Sequence, residues 1–491
     1  MVISNQLKNQ HLLWRAGFGP LCRDFGQLEK TSQKSLFKSL LKSSSKPPEY
    51  INVASNELSD LIMMPMAEGD KMQKKDLSED EKKRFRKQSE QDIKQLNIAW
   101  LNQMVNSDAQ LLEKMSLFWH GHFASRNENI FYQQLLLDII RRNALGNFGD
   151  LLRAVSKSAA MINFLNNNQN KKNHPNENFA REVMELFTMG RGHYSENDVK
   201  EAARAFTGWG ADFQGEFVFR KMQHDDGEKN ILGKTGYFDG DDILNILLQQ
   251  KQTAVFITKK IYRFFVNDDV DENRVIALAE NFYKSNYEIK SLMEEIFTSS
   301  WFYDEKNIAA KIKSPVELIV GIRRLLPMQI ENEESQILVQ RLLGQLLFRP
   351  PNVAGWPGGT NWIDSSSLMF RLRIPQIIYS ADEIHLQPKE DDDQMMGMRN
   401  MNEMAMRYRE MAKAKAAKQI INTTIHWDDY LNFFKNVERE QLISSVEQLV
   451  LQTKPGVTDS TLKKYTDTQS RESFIKTTTI QLMSTPEYQL C

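Results

Sequence analysis

The chain has 491 residues, 41% hydrophobic and 26% charged, enough for one large core or for two to three ordinary domains. Its 63 basic and 64 acidic side chains nearly cancel, which excludes a global electrostatic drive toward nucleic acid or an anionic membrane. Two cysteines near opposite ends, Cys22 and Cys491, exclude a disulfide framework, and no apolar run approaches the ~18 residues of a membrane span.

The first twenty residues hold no secretory apolar stretch, so the chain as written is expected to be cytoplasmic, with export requiring an upstream start. His11 and Arg15 stand four apart in a helical segment ending in Gly17-Phe18-Gly19-Pro20, where they face one pocket or cap the helix. Residues 43–48, rich in serine and proline, read as a linker. Residues 66–95 alternate acidic and basic runs, the pattern of a solvated, charged helical insertion.

From Asp108, the residues Leu111, Leu112, Met115, Phe118 and Trp119 predict a helix running into FWHGHF. His120 and His122 point about 200° apart in a regular helix. They converge on a metal or anion if the backbone leaves the helix near Gly121; otherwise one is buried and hydrogen-bonded and the other lies at the surface.

Polar chemistry is densest between Asn173 and Gly210. Phe179, Val183, Leu186 and Phe187 recur with the period of a helix that has one buried face, between Pro175-Asn176 and Gly190. At about 100° per residue, Asn178, Glu182 and Glu185 share a stripe beside that face, while Glu177 and Arg181 pair further out. Ser195 and Asp198 form the capping box of a second helix, with Val199, Ala203 and Phe206 inside and Gly208 at its end. Arg191 and His193 lie in the connecting loop. This hairpin suits an acid/base site and equally a solvated acidic flank with a surface histidine.

Glu216–Arg220 alternates like a strand and faces a Lys- and Gly-rich segment, predicting a short β-hairpin-like excursion near 216–237 in a mainly α, multi-helical protein. His224, Asp225 and Lys229 on it can lean over a neighbouring pocket. Asp239, Asp241 and Asp242 lack a calcium-loop pattern and cap the helix from Ile243. The loop from Phe348 to Ser366 has too little helix propensity to be regular, and Trp356 and Trp362 in it offer a stacking platform or a packed structural element. Residues 388–418 read as a Met-rich, charged insertion whose thioethers either bind soft metal or fill adaptable helix faces.

Together HLLWRAGFGP, FWHGHFAS, ENFAREVMELFTMGRGHYSENDVKEAARAFTGW, KIKSPVELIVG, PPNVAGWPGG and MSTPEYQ resemble the bacterial family designated domain of unknown function 1800, in family order from His11 to Tyr488. The resemblance implies one mostly helical unit over 1–491, with 66–95 and 388–418 peripheral. It assigns no reaction, and it implies many exported relatives and a phosphatase- or sulfatase-like companion protein. It also places His120, His122, Asn178, Arg181, Glu182, Glu185, His193, Arg204, His224 and Asp225 within shared motifs.

Two functions are expected from these residues. In a metal-assisted or acid/base hydrolase acting on an anionic or carbohydrate substrate, His120 and His122 hold a divalent metal. Glu182, Glu185, His193, His224 and Asp225 then supply acid/base groups, and Asn178, Arg181, Arg204, Lys229, Trp356 and Trp362 bind substrate. The alternative is a noncatalytic binding or scaffold protein with a buried His/Glu/Arg network and a small molecule or polysaccharide as its partner.

Overall fold

Helix starts are fixed locally. Ser78, Ser195, Asp239, Ser314 and Ser470 each accept a hydrogen bond from the third amide of the helix they open, and the side chain at that third position bonds back. The computed structural model describes residues 3–58, 78–212, 214–380, 383–384 and 419–491, and the protein is mainly α. Residues 66–77 of the first charged segment and 388–418 of the second lie outside the described residues.

Three apolar clusters hold the helices together. The largest is built around Gln110–His122, Ile130–Asn143, Phe148–Ser156, the 178–205 hairpin and the helices Gly240–Leu248, Lys251–Phe265, Glu272–Lys284 and Ile289–Thr298. A second gathers Pro315–Leu325, Ser365–Ser380, Leu442–Val450 and Arg471–Met483. The third joins the inner half of the long helix Glu79–Asn106 to Phe18, Leu117, Val316, Val320, Leu347 and Phe348. That helix starts solvated and charged, but Ile93, Leu96, Trp100 and Leu101 are buried, so its later turns are core.

The β excursion resolves into two antiparallel hairpins, Trp209–Ala211 with Phe217–Phe219 and Lys229–Ile231 with Lys234–Gly236. It begins earlier than the sequence pattern indicates because Gly208, at φ +80°, turns the chain straight from helix into strand. Among the described residues two further ladders pair Met328–Ile330 with Thr423–Ile425 and Glu383–Ile384 with Gln419–Ile420. Strands of two or three residues are too short to show an alternation in sequence.

One ion pair ties the first and third clusters together. Arg141 donates to both oxygens of Glu113, at 3.2 and 2.6 Å, and to the Glu49 carbonyl at 2.7 Å, while the Trp100 indole N–H reaches Glu113 at 2.9 Å. Both charged side chains are essentially inaccessible. Removing one partner strands a buried charge, at a cost of about 3–5 kcal/mol. Arg141→Met should therefore lower the urea midpoint strongly, whereas Arg181→Met, which breaks the surface pairs to Glu177 and Glu196, should leave it nearly unchanged. Equal effects in the two variants would show that the buried pair does not carry this load.

Candidate functional site

The end of the Gln110–His122 helix meets the irregular loop at 343–364. The helix stays regular through Gly121, so His120 and His122 face different parts of the protein. His120 accepts a hydrogen bond from the Phe348 amide at 3.2 Å, and its ring packs against Trp100, Phe348 and Trp356 with centroids 5.1, 4.9 and 5.5 Å away. Burial lowers its pKa to about 3, which keeps the accepting nitrogen free of a proton. Phe348 itself has φ 64°, a strained setting for a side-chain-bearing residue. Gly355, at φ +84°, approaches so closely that a Cβ there would lie 2.3 Å from the Gly121 carbonyl oxygen. Two motifs far apart in sequence are thus in backbone contact.

Between this loop and the Glu79–Asn106 helix lies a cleft of about 630 Å³. Trp356, Trp362, Pro350 and Pro351 give it apolar walls, and Lys94, Arg126, Arg341 and Arg349 line it with positive charge. Its carboxylates are Glu90 and Asp364, and Asp364 accepts the Ser366 and Ser367 amides, capping the next helix. The pKa of Arg349 is lowered first by burial and then by Arg126, with Arg341 adding to the effect and Glu90 and Glu128 opposing it. The loop is anchored from below, where Asn97 and Gln340 exchange amide hydrogen bonds and Gln340 accepts the Leu347 amide at 3.1 Å.

The expected two-helix hairpin is present, but its first helix changes pitch. Asn178–Glu182 is α-helical and Val183–Thr188 is a π-helix, in which the Met189 amide reaches back to Met184 at 2.9 Å. Thr188 bonds the Val183 carbonyl through its hydroxyl, at 2.7 Å. The late carbonyls are satisfied from outside: His122 Nε2 bonds Phe187 O at 3.2 Å, and Lys260 Nζ bonds Leu186 O at 3.2 Å and His122 Nδ1 at 3.1 Å. Burial pushes the Lys260 pKa down to about 8, and burial followed by the nearby Lys260 charge lowers that of His122.

The nominated polar residues fall into separate groups. Trp356 and Trp362 share the cleft, with His120 beneath Trp356. Glu185 accepts the Tyr194 hydroxyl at 2.8 Å and pairs with Arg191. Glu182, one turn earlier, has its pKa raised by burial and then by Glu185. Arg181 bridges Glu177 and Glu196, Asn178 donates to Leu165 O, and His193 is exposed. Arg204 pairs with Asp225 and Glu201, Lys229 donates to the carbonyls of Asp225 and Gly227, and His224 bonds the Thr207 carbonyl. The structure does not bring His120 and His122 together. Among the described residues no group of three or more His, Cys, Asp or Glu side chains is disposed to hold a metal ion.

Sequence reasoning missed the cationic lining. Arg126 directly follows the FWHGHFAS motif and Arg349 directly precedes PPNVAGWPGG, so the available signal was charge at the motif edges. Lys260 carried no signal, because the helix-end carbonyl it bonds belongs to a segment 74 positions away.

Fold and cleft define a multi-helical protein with a cation-lined, tryptophan-walled pocket. The chain belongs to the family described as protein of unknown function (DUF1800), whose model matches residues 11–490. No curated protein and no solved structure matches it. Among the described residues no helix is long and apolar enough to cross a membrane.

Two of the buried histidines, His120 and His122, make stability depend on pH. Both have folded pKa values below the ordinary 6.5, so between that value and the folded one the unfolded chain binds more protons. Their contribution is fully present above about pH 6.5 and falls as pH drops below it, by up to ~1.4 kcal/mol per pH unit for each histidine. The urea midpoint should fall between pH 7 and pH 5, and less steeply in His120→Gln than in the wild type. A profile flat over that window would contradict the assignment of both rings as neutral.

Proposed function

We propose that the chain is a binding protein whose ligand carries an anionic group beside a sugar or other planar ring, seated in the cleft above His120. The observation that supports this is Arg349, half-buried and sharing the cleft with Arg126, Arg341 and Trp356. Guanidinium groups match the planar, bidentate geometry of phosphate, sulfate and carboxylate, and an indole face takes a ring at low entropic cost. Acidic polysaccharides and phosphorylated or sulfated small molecules fit this pairing. Binding to a sulfated oligosaccharide should weaken about tenfold in Arg349→Ala, equivalent to ~1.4 kcal/mol, and should weaken with added salt. Trp356→Ala should lose affinity for the ring-bearing ligand. Unchanged titration calorimetry in Arg349→Ala would sink the proposal.

One observation favours the hydrolase as a second reading. Glu182 is a half-buried carboxyl with a raised pKa, one turn from Glu185 and at the start of a π-helix, a distortion frequent at functional sites. A carboxyl whose pKa is raised by burial can act as a general acid, with Glu185, paired to Arg191, beside it. This reading expects turnover of an aryl phosphate, sulfate or glycoside that is lost in Glu182→Gln while the melting temperature is retained. Wild-type protein that turns over none of the three leaves the binding reading alone.

A further inference from the structure

Arg349 is carried into the cleft by a pinned stretch of backbone. The Leu347 amide donates to Gln340 at 3.1 Å, the Phe348 amide to His120 at 3.2 Å and the Arg349 amide to the Leu346 carbonyl at 3.1 Å. Pro350 and Pro351 follow; a residue before proline is kept out of the helical region, and each proline fixes its own φ. The backbone at Arg349 therefore has few conformations to lose when a ligand arrives.

The guanidinium so placed is unspent. Arg349 is half-buried and Arg341 is exposed, and among the described residues neither makes a hydrogen bond or an ion pair within the protein. Arg141, by contrast, is buried against both oxygens of Glu113. Arg349 has given up part of its hydration without gaining such a partner, and burial lowers its pKa accordingly.

Charge in the cleft is unbalanced. Lys94, Arg126, Arg341 and Arg349 face Glu90 and Asp364, which leaves two positive charges over. Glu90 is exposed and Asp364 caps the next helix through the Ser366 and Ser367 amides, so neither carboxylate forms an ion pair with Arg349. His120, beneath Trp356, adds no charge at neutral pH because burial lowers its pKa to about 3. Size narrows the ligand further: about 630 Å³ lies within the roughly 300–1,000 Å³ of small-molecule sites, room for one or two rings with a charged group. A phosphate monoester brings nearly two negative charges above pH ~6 and three strong acceptor oxygens, whereas a sulfate ester or a carboxylate brings one charge.

We propose that the cleft selects a phosphate monoester of a ring-bearing small molecule over the matching sulfate or carboxylate, with the dianionic group at Arg349 and the ring against Trp356. This rests on the reading of the cleft as a site for an anionic group beside a ring, and it names the class of ligand. A dianion balances the excess charge; a monoanion leaves half of it.

Titration calorimetry of the full chain with phenyl phosphate, phenyl sulfate and inorganic phosphate tests the selection. At pH 7.5 phenyl phosphate should bind about tenfold more tightly than phenyl sulfate, and inorganic phosphate, which has no ring, more weakly than phenyl phosphate. At pH 5 the phosphate ester takes up a proton and most of the gap should close, while phenyl sulfate keeps its charge and reports any change in the protein itself. Arg349→Ala should abolish the preference for phosphate. Two esters that bind equally at pH 7.5 and both weaken in Arg349→Ala overturn the selection and leave the anion-and-ring reading standing. A preference that is the same at pH 5 as at pH 7.5 also overturns it. If neither ester binds, or both bind unaltered by Arg349→Ala, the broader reading falls together with this one. Should Arg349→Ala not melt cooperatively, Arg341→Ala takes its place with the same expectations, since that side chain is exposed.

Discussion

A helix buried on every side must find a partner inside the protein for each polar group it carries, and Gln110–His122 is such a helix. Gln110, Glu113, Lys114, Ser116, His120 and His122 are all nearly inaccessible. Gln110 holds the Phe18 amide and two carbonyls, Glu113 takes Arg141 and Trp100, and Lys114 takes Glu317 and the Trp14 carbonyl. His120 receives Phe348 and His122 reaches Phe187. These bonds reach several different elements, so this one helix fixes the relative positions of the hairpin, the cleft loop and the Pro315–Leu325 helix. Apolar packing alone would leave those placements degenerate, because it has no direction, whereas a buried donor accepts few geometries.

The same helix explains why a His-x-His pair need not share a ligand. With the helix intact to His122, one ring serves a loop amide and the other a π-helix carbonyl, and both are better neutral than charged. The motif thus reads as a double clamp. No side chain at 355 fits its contact with the Gly121 carbonyl, whereas a Cβ at 121 itself would meet nothing within 4 Å.

Much of this was legible in advance, for identifiable reasons. The hairpin helices, the Ser195–Asp198 box and the Gly190 and Gly208 stops follow from local rules, and the structure carries all of them. The tryptophans of the 348–366 loop were singled out by composition and do line the cleft. What stayed hidden is long-range. The Leu186 carbonyl of the π-helix depends on a donor supplied by Lys260, 74 positions away. The cationic lining joins Lys94, Arg126 and Arg349 from three segments, and no window of sequence contains them together. Glu182, Glu185 and Asp225 looked alike as carboxylates; only their surroundings separate a carboxyl pushed up by burial from one pulled down by Arg204.

Residues 311–313 pair antiparallel with 489–491 as a strap, and this bears on how the chain reaches its folded state. Lys313 meets Tyr488 across a separation of 175 residues, and the loop so closed contains most of the second apolar cluster. Closing a long loop costs entropy that is recovered only once the contacts inside it have formed. The strap is therefore expected to close late: the first cluster can assemble from nearby helices while Arg15 and Lys313 remain hydrated. A chain stalled before that step would expose the apolar faces of Pro315–Leu325 and Ser365–Ser380, which makes this intermediate the one most prone to associate with its own copies.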